Sequence, residues 1–474
     1  PLGLQNDFEE ITGRQESPHN DTLAQSSRGL RNVLVSAQLG GAFLSALSDV
    51  SFGAITAVFN GMSPTRVLGK SLYRFAFGQH SAEERAFAVR MGLVAEEAAG
   101  SALAAGRLVG EMIGPQSTRT LANVIMRGSL LSSWTQAGRH AFGLEMFSFL
   151  ADNAGKTWDQ LPANLRRSMG LRGIGEGDWN TARSAAFTER RGTNFMDVRN
   201  IAKVDPEVAT KIHALVLEER EFAVQSSTVR ARAALKGGAG GRVTQAGTIG
   251  GELWRNIGMY KNFPVTLMYT HMARVGFTPD MSNMDRIGYL ASTVGLTTML
   301  GAMALNSKNI AAGKEPVDPF EAPAEEQIKF WTAAMLQGGG LGLFGDFLFA
   351  DHSRFGKTFS QSLAGPAFGF ADDAIKLGQN AVGELAGVAG VPGAGEANFR
   401  RELIRFASNY TPGSNLWYSR LVMEREVFDR LQRMADPEAN ESFRQRANRA
   451  QRDFGTPYFW APGETISDRL EVQR

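Results

Sequence analysis

Along this chain apolar residues recur at spacings of three and four, and period-two alternation is almost nowhere sustained. That rhythm predicts helices. Ser81 with Glu84 spells a capping box, and Gly114-Pro115 stops the run that follows. Asp205-Pro206-Glu207 reads as N-cap, N1 and N2 of a helix running toward Leu235. Lys-Gly-Gly-Ala-Gly-Gly at 236–241 then breaks it as a hinge. Residues 419–435 read as a charged amphipathic helix closed by Asp436-Pro437, and 439–455 as another. The expectation is an all-α, elongated multi-helix protein with glycine-rich hinges and no substantial sheet, strand staying under about a tenth of residues. Four regions follow: helical 1–156, helical 157–241 ending in the hinge, apolar and glycine-rich 242–400, and charged helical 401–474.

Three stretches are unusually apolar. Val33 to Met62 carries one charge, Asp49; Ile287 to Leu305 carries none; Ala333 to Ala350 carries only Asp346. Each reaches the roughly 20 residues that a spanning helix needs. Each is also diluted with Gly, Ser, Thr and Ala, which allow close helix approach in lipid and in tight protein assemblies alike. Both readings stay open: helices buried in a large oligomer, or segments that enter lipid. In the second stretch the candidate buried or inserting residues are Ile287, Leu290, Val294, Gly295, Leu296 and Leu300.

Composition narrows the chemistry. Glycine is abundant, 53 of 474 residues, against an average usage of about 7%. A G-x-G-x-x-G match at 340–345 is therefore expected by chance. Its surroundings also argue against a phosphate loop: helical spacing at Ile328, Trp331 and Met335 precedes it, and Asp346 follows. We read Gly340, Gly342 and Gly345 as a bend packed by Phe344 and Phe347, with Trp417, Tyr418 and Trp460 as further packing landmarks. Cysteine is absent, which excludes disulfides, thiolate catalysis and Cys-ligated zinc. The six histidines are scattered singly, so no metal site is expected. No catalytic residue and no cofactor can be named. The net charge is only +2, yet Arg444, Arg446, Arg449 and Arg452 gather on one C-terminal helix. They read either as a solvated face or as contacts to DNA phosphates that ignore sequence.

Several landmarks occur together: "TWDQLPANLRRSMGLRGIGEGDWNTARSA" (157–185), "AGTIGGELWRNIGMYKNFP" (246–264) and "MLQGGGLGLFGDFLFADHSRFG" (335–356). "LAGPAFGFADDAIKL" (363–377), "NYTPGSNLWYSRLVMER" (409–425) and "DFGTPYFWAPGE" (453–464) continue the series. In order and content they resemble the internal virion proteins of tailed, short-tailed bacteriophages. Residues 1–156 carry no such landmark.

The resemblance implies a DNA-ejection protein, held in the virion interior and then delivered to the host envelope, periplasm or inner membrane, as part of a conduit. It implies identical subunits in a ring or tube, other internal virion proteins, portal and tail proteins, and non-specific double-stranded DNA as partners. Some relatives carry a lytic transglycosylase domain on a longer polypeptide. The start at Pro1, with no signal peptide visible, is compatible with a C-terminal portion lacking that domain. The alternatives are the C-terminal part of a peptidoglycan-degrading virion enzyme, or an integral membrane protein.

Overall fold

The computed structural model describes residues 2–78, 82–93, 114–237, 244–338, 366–388, 399–436 and 438–466. The chain is all-α: 75% is helical, and the described residues hold two short strands in one small sheet. The bend at 340–347, the capping box at Ser81 and most of the 236–241 hinge lie outside the described residues.

Helix α1 (Leu2–Ile11) is followed by α2 (Asp21–Gln38), which Asn20 caps by accepting a hydrogen bond from the Leu23 amide at 3.0 Å. The helical path continues through two tighter 3₁₀ turns, Leu39–Gly41 and Leu47–Asp49, into α3 (Val50–Phe59). Gly40 sits at the first turn because a Cβ there would lie 2.6 Å from the Asn415 backbone. Next come α4 (Pro64–Tyr73), α5 (Gln116–Gly128) and α6 (Leu131–Asp152).

A small antiparallel hairpin then pairs β1 (Phe187–Arg190) with β2 (Thr193–Met196). Its turn, Arg191-Gly192, has positive φ at both residues, the geometry that suits the twist of a tight hairpin. Alternation too short to stand out, bounded by that glycine, is the signal it left in the sequence.

Asp205 caps α7 (Pro206–Ala223) as expected, accepting from the amides of Glu207 and Val208. The helix nevertheless stops at Ala223, short of Leu235. The Ser226 hydroxyl donates to the Glu221 carboxylate, Thr228 accepts from the Ala231 amide, and a separate helix α8 (Val229–Gly237) begins there. Beyond lie α9 (Ile249–Ile257), α10 (Asn283–Ala311), α11 (Ala324–Gln337), α12 (Pro366–Val388), α13 (Phe399–Tyr410) and α14 (Ala439–Phe454). Gly455, at φ +60°, ends α14 in a left-handed cap.

Three buried clusters hold these elements. The first joins Phe142, Phe147 and Leu150 of α6 to Ile212, Leu215 and Val216 of α7, with Trp179 and Met196, and so draws on both sides of residue 156. Trp179 is fully buried, and its indole N–H donates to the Lys156 carbonyl at 3.0 Å. The second cluster gathers Leu34, Phe43, Met126, Trp134, Met259, Ala367 and Tyr410 from distant parts of the chain. The third packs Phe52, Ile55 and Phe59 of α3 against Leu267, Met281 and Tyr289. It is the seat of α10.

Candidate functional site

Among the described residues two helical runs are long and apolar enough to cross a membrane, Asp21–Phe59 and Asn283–Ala311. Their surroundings separate them. The most apolar window of the first is 67% buried inside the protein, whereas that of the second is only 28% buried. The first, which contains most of the Val33–Met62 stretch, is a core helix. The second, α10, stands largely outside the protein's own core.

The way α10 divides its residues is the reverse of an ordinary surface helix. Its buried positions are Tyr289, Thr293, Thr297, Gly301 and Ala304, one stripe of small and polar side chains. Its outward positions include Ile287, Met299 and Met303, which are 62%, 63% and 62% exposed. Val294, Met284 and Ile310 are exposed as well. Of the residues singled out from sequence, Ile287, Val294 and Gly295 face outward, while Leu290, Leu296 and Leu300 are half-buried. A water-facing helix normally shows the opposite arrangement.

The inward stripe explains the inversion. Helix α11 folds back against α10 at backbone distance. A Cβ at Gly301 would sit 2.0 Å from the Ala334 carbonyl oxygen, and one at Gly338 would sit 1.9 Å from the Thr297 oxygen. Thr293, Thr297 and Gly301 on one helix, with Ala334 and Gly338 on the other, form small residues repeating every four positions on both partners. The threonine hydroxyls donate to their own helix, Thr293 to the Tyr289 carbonyl and Thr297 to the Thr293 carbonyl, each at 2.7 Å. These two hydroxyls are thus satisfied within their own helix and ask nothing of the solvent. On α11 the buried residues are Phe330 and Ala334, while Ile328 is exposed and Trp331 and Met335 are half-buried.

A buried polar network seats the base of the hairpin on the body. The Tyr289 hydroxyl and His271 Nδ1 are 2.6 Å apart, and His271 Nε2 lies 3.0 Å from the Phe222 carbonyl. A carbonyl only accepts, so Nε2 carries the proton and Nδ1 accepts from tyrosine. Burial, with Arg274 nearby, pushes the His271 pKa down to about 3, which keeps the ring neutral. Beside it, fully buried Glu219 accepts from Arg274 at 2.8 and 2.9 Å and from Asn60 at 2.6 Å, and forms an ion pair with Arg172 at 2.7 Å. The Arg274 guanidinium also stacks 3.4 Å from the Phe222 ring centre and 4.1 Å from that of Phe59. In the sequence Glu218, Glu219 and Glu221 are acids on a charged helix, where solvation is the ordinary expectation. Glu219 is instead a core residue, and its burial depends on partners 47 to 159 positions away that no local spacing reveals.

At the far end of the hairpin, the loop joining α10 to α11 is stapled to the C-terminal segment. The Glu315 amide donates to the Pro457 carbonyl at 2.9 Å, and the Trp460 amide to the Gly313 carbonyl at 3.0 Å. Buried Arg425 donates to the Ala312 and Trp460 carbonyls and pairs with Asp429 at 3.2 Å. Immediately before this staple, α14 exposes Arg444, Arg446, Arg449 and Arg452, while Phe443 and Ala450 face inward. Trp417 packs 5.4 Å from Phe43 in the second core, with exposed Tyr418 edge-on beside it. Among the described residues no group of His, Asp and Glu could hold a metal ion.

Comparison with protein families, curated proteins and solved structures finds no match to this chain.

Proposed function

We propose that this chain is an ejection protein of a tailed phage, and that it helps to form the conduit for genome delivery by entering the host membrane with the α10–α11 hairpin. One observation carries the reading: α10 turns its small and polar stripe inward and its apolar residues outward. Water penalises that face, at roughly 25 cal/mol per Å² of apolar surface, and a bilayer relieves the penalty. The charge-free run from Ile287 to Leu305 lies between Arg286 and Lys308. Counting 1.5 Å per residue, the interval is about 30 Å, the thickness of a hydrocarbon core. The landmark stretches between 157 and 464 supply the virion context, and several copies around an axis supply a lumen for DNA.

Flotation with phosphatidylethanolamine–phosphatidylglycerol vesicles tests the reading. The wild-type chain is expected to float with the lipid. Val294→Asp with Met303→Asp is expected to sediment, because a charge at mid-segment costs about 2.5–3.5 kcal/mol on insertion scales. Both side chains already face outward, so the folded state should tolerate the change. Wild-type protein that never floats, or a double variant that floats equally well, would overturn the assignment.

A further inference from the structure

We propose that neighbouring copies of this chain join side by side through ion pairs between the arginine face of α14 on one copy and the acidic α10–α11 loop of the next. The inference deepens the conduit reading, on which its ring geometry rests.

The loop between the two helices, residues 312–323, exposes Glu315, Asp318 and Glu321. Its one cation, Lys314, lies over the Tyr458 ring with Nζ 5.5 Å from the centre. The exposed arc of α14 is the complement: Arg446, Arg449 and Arg452 follow one another every three residues, Arg444 stands on the other side of the arc, and the Arg446 guanidinium lies 5.9 Å from the ring centre of buried Phe443. Nearby ion pairs run elsewhere, Glu325 with Lys329, Arg430 with Glu426, Arg401 with Asp436. Among the described residues, none joins Arg444, Arg446 or Arg449 to Glu315, Asp318 or Glu321.

Position matters as much as sign. The loop is stapled to residues 457–460, which follow α14 directly, and a Cβ on Gly455 at the end of α14 would touch the Glu326 carboxylate at 2.6 Å. Both patches therefore lie at the same end of the molecule. Around a cyclic axis, the surfaces that meet between adjacent copies must lie at one height along that axis, and they must be different surfaces. An acidic loop and a basic helix at one level meet both conditions. Exposed pairs of this kind are individually weak and are screened by salt, so the contact sets register and partner choice more than raw affinity.

Charge reversal on the full chain tests this by sedimentation velocity at low and high salt. Arg444→Glu with Arg446→Glu and Arg449→Glu, and separately Glu315→Lys with Asp318→Lys and Glu321→Lys, should each weaken self-association about tenfold or more. An equal mixture of the two variants should recover association, which only folded partners can do. The neutral triple Arg→Gln variant at the same positions should fall between. Flotation of the neutral Arg→Gln variant with uncharged phosphatidylcholine vesicles reads the membrane hairpin separately and should not change, because α14 lies outside that hairpin. The proposal is overturned if the wild type is monomeric at every salt, if both variants associate like wild type, or if mixing restores nothing. Loss of binding to a short DNA duplex with unchanged self-association would also overturn it and give the arginine face to phosphate.

Discussion

His271 and Glu219 show what single residues do here. A histidine held neutral by burial makes stability depend on acid. Its folded-state pKa, pushed to about 3, lies below the usual value of 6.5, and half-buried His140, at about 4, lies the same way. Between those values the unfolded chain binds more protons than the folded one. Stability is therefore complete above about pH 6.5 and falls as pH drops, by about 1.4 kcal/mol per pH unit for each histidine across its window. Glu16, lowered to about 2 against Lys236 and Arg28 despite its burial, adds a second loss below about pH 4.5. Denaturant melts at stepped pH should show a decline that begins near 6.5, and His271→Gln should remove part of it. A flat profile between pH 6.5 and 5 would contradict the assignment. Glu219→Ala strands Arg274 and Arg172 in the core, and a loss of about 3–5 kcal/mol is expected from urea unfolding. None of this was legible in sequence. A glutamate in Glu-Glu-Arg-Glu looks solvated, and only the fold brings Asn60, Arg172 and Arg274 to it.

At the scale of elements, sequence was a good guide to where helices lie and a poor one to which way they face. Period, caps and glycine stops placed α11 and α14 to within a few residues and the start of α7 at its Asp205 cap, but not the end of α7, which falls at Ala223 and not toward Leu235. The charge-free run in α10 was visible as a segment; its orientation was not, because facing depends on α11, whose Ala334 and Gly338 meet Gly301 and Thr297 backbone to backbone. Two glycines of α10 test that contact against each other. Gly301→Ala must push the Ala334 carbonyl away, and a loss of about 1–3 kcal/mol is expected. Gly295→Ala meets nothing within 4 Å and should be neutral or gain about 0.5–1 kcal/mol from helix propensity. Thermal melts of the two variants side by side decide it; equal melting temperatures would mean that the hairpin is not zipped as described.

The whole molecule is tied together by residues far apart in the chain. The second core needs Leu34, Trp134, Met259 and Tyr410 at once, so regions that composition suggested as separate meet in one cluster. Sequence had no way to announce this, since small residues such as Gly40 carry no periodic signal for the backbone that will lie on them. Those long ties predict an order of protection in pulsed hydrogen exchange during refolding. Amides of α6 and α7 in the first core should become protected before those of α2 and α13, because closing longer loops comes later; simultaneous protection would argue against it. The clasp at Gly40 carries this furthest. There the Gly413 amide donates to the Ser36 carbonyl, the Trp417 amide to Gly40, and Asn415 to Gln38, across 377 residues in the last case. A chain that arrives one end first, from a ribosome or out of a narrow passage, holds half of this clasp until its trailing residues come through. Its last segment is then a key that the rest of the protein waits for, and any event that holds back the tail holds the second core open.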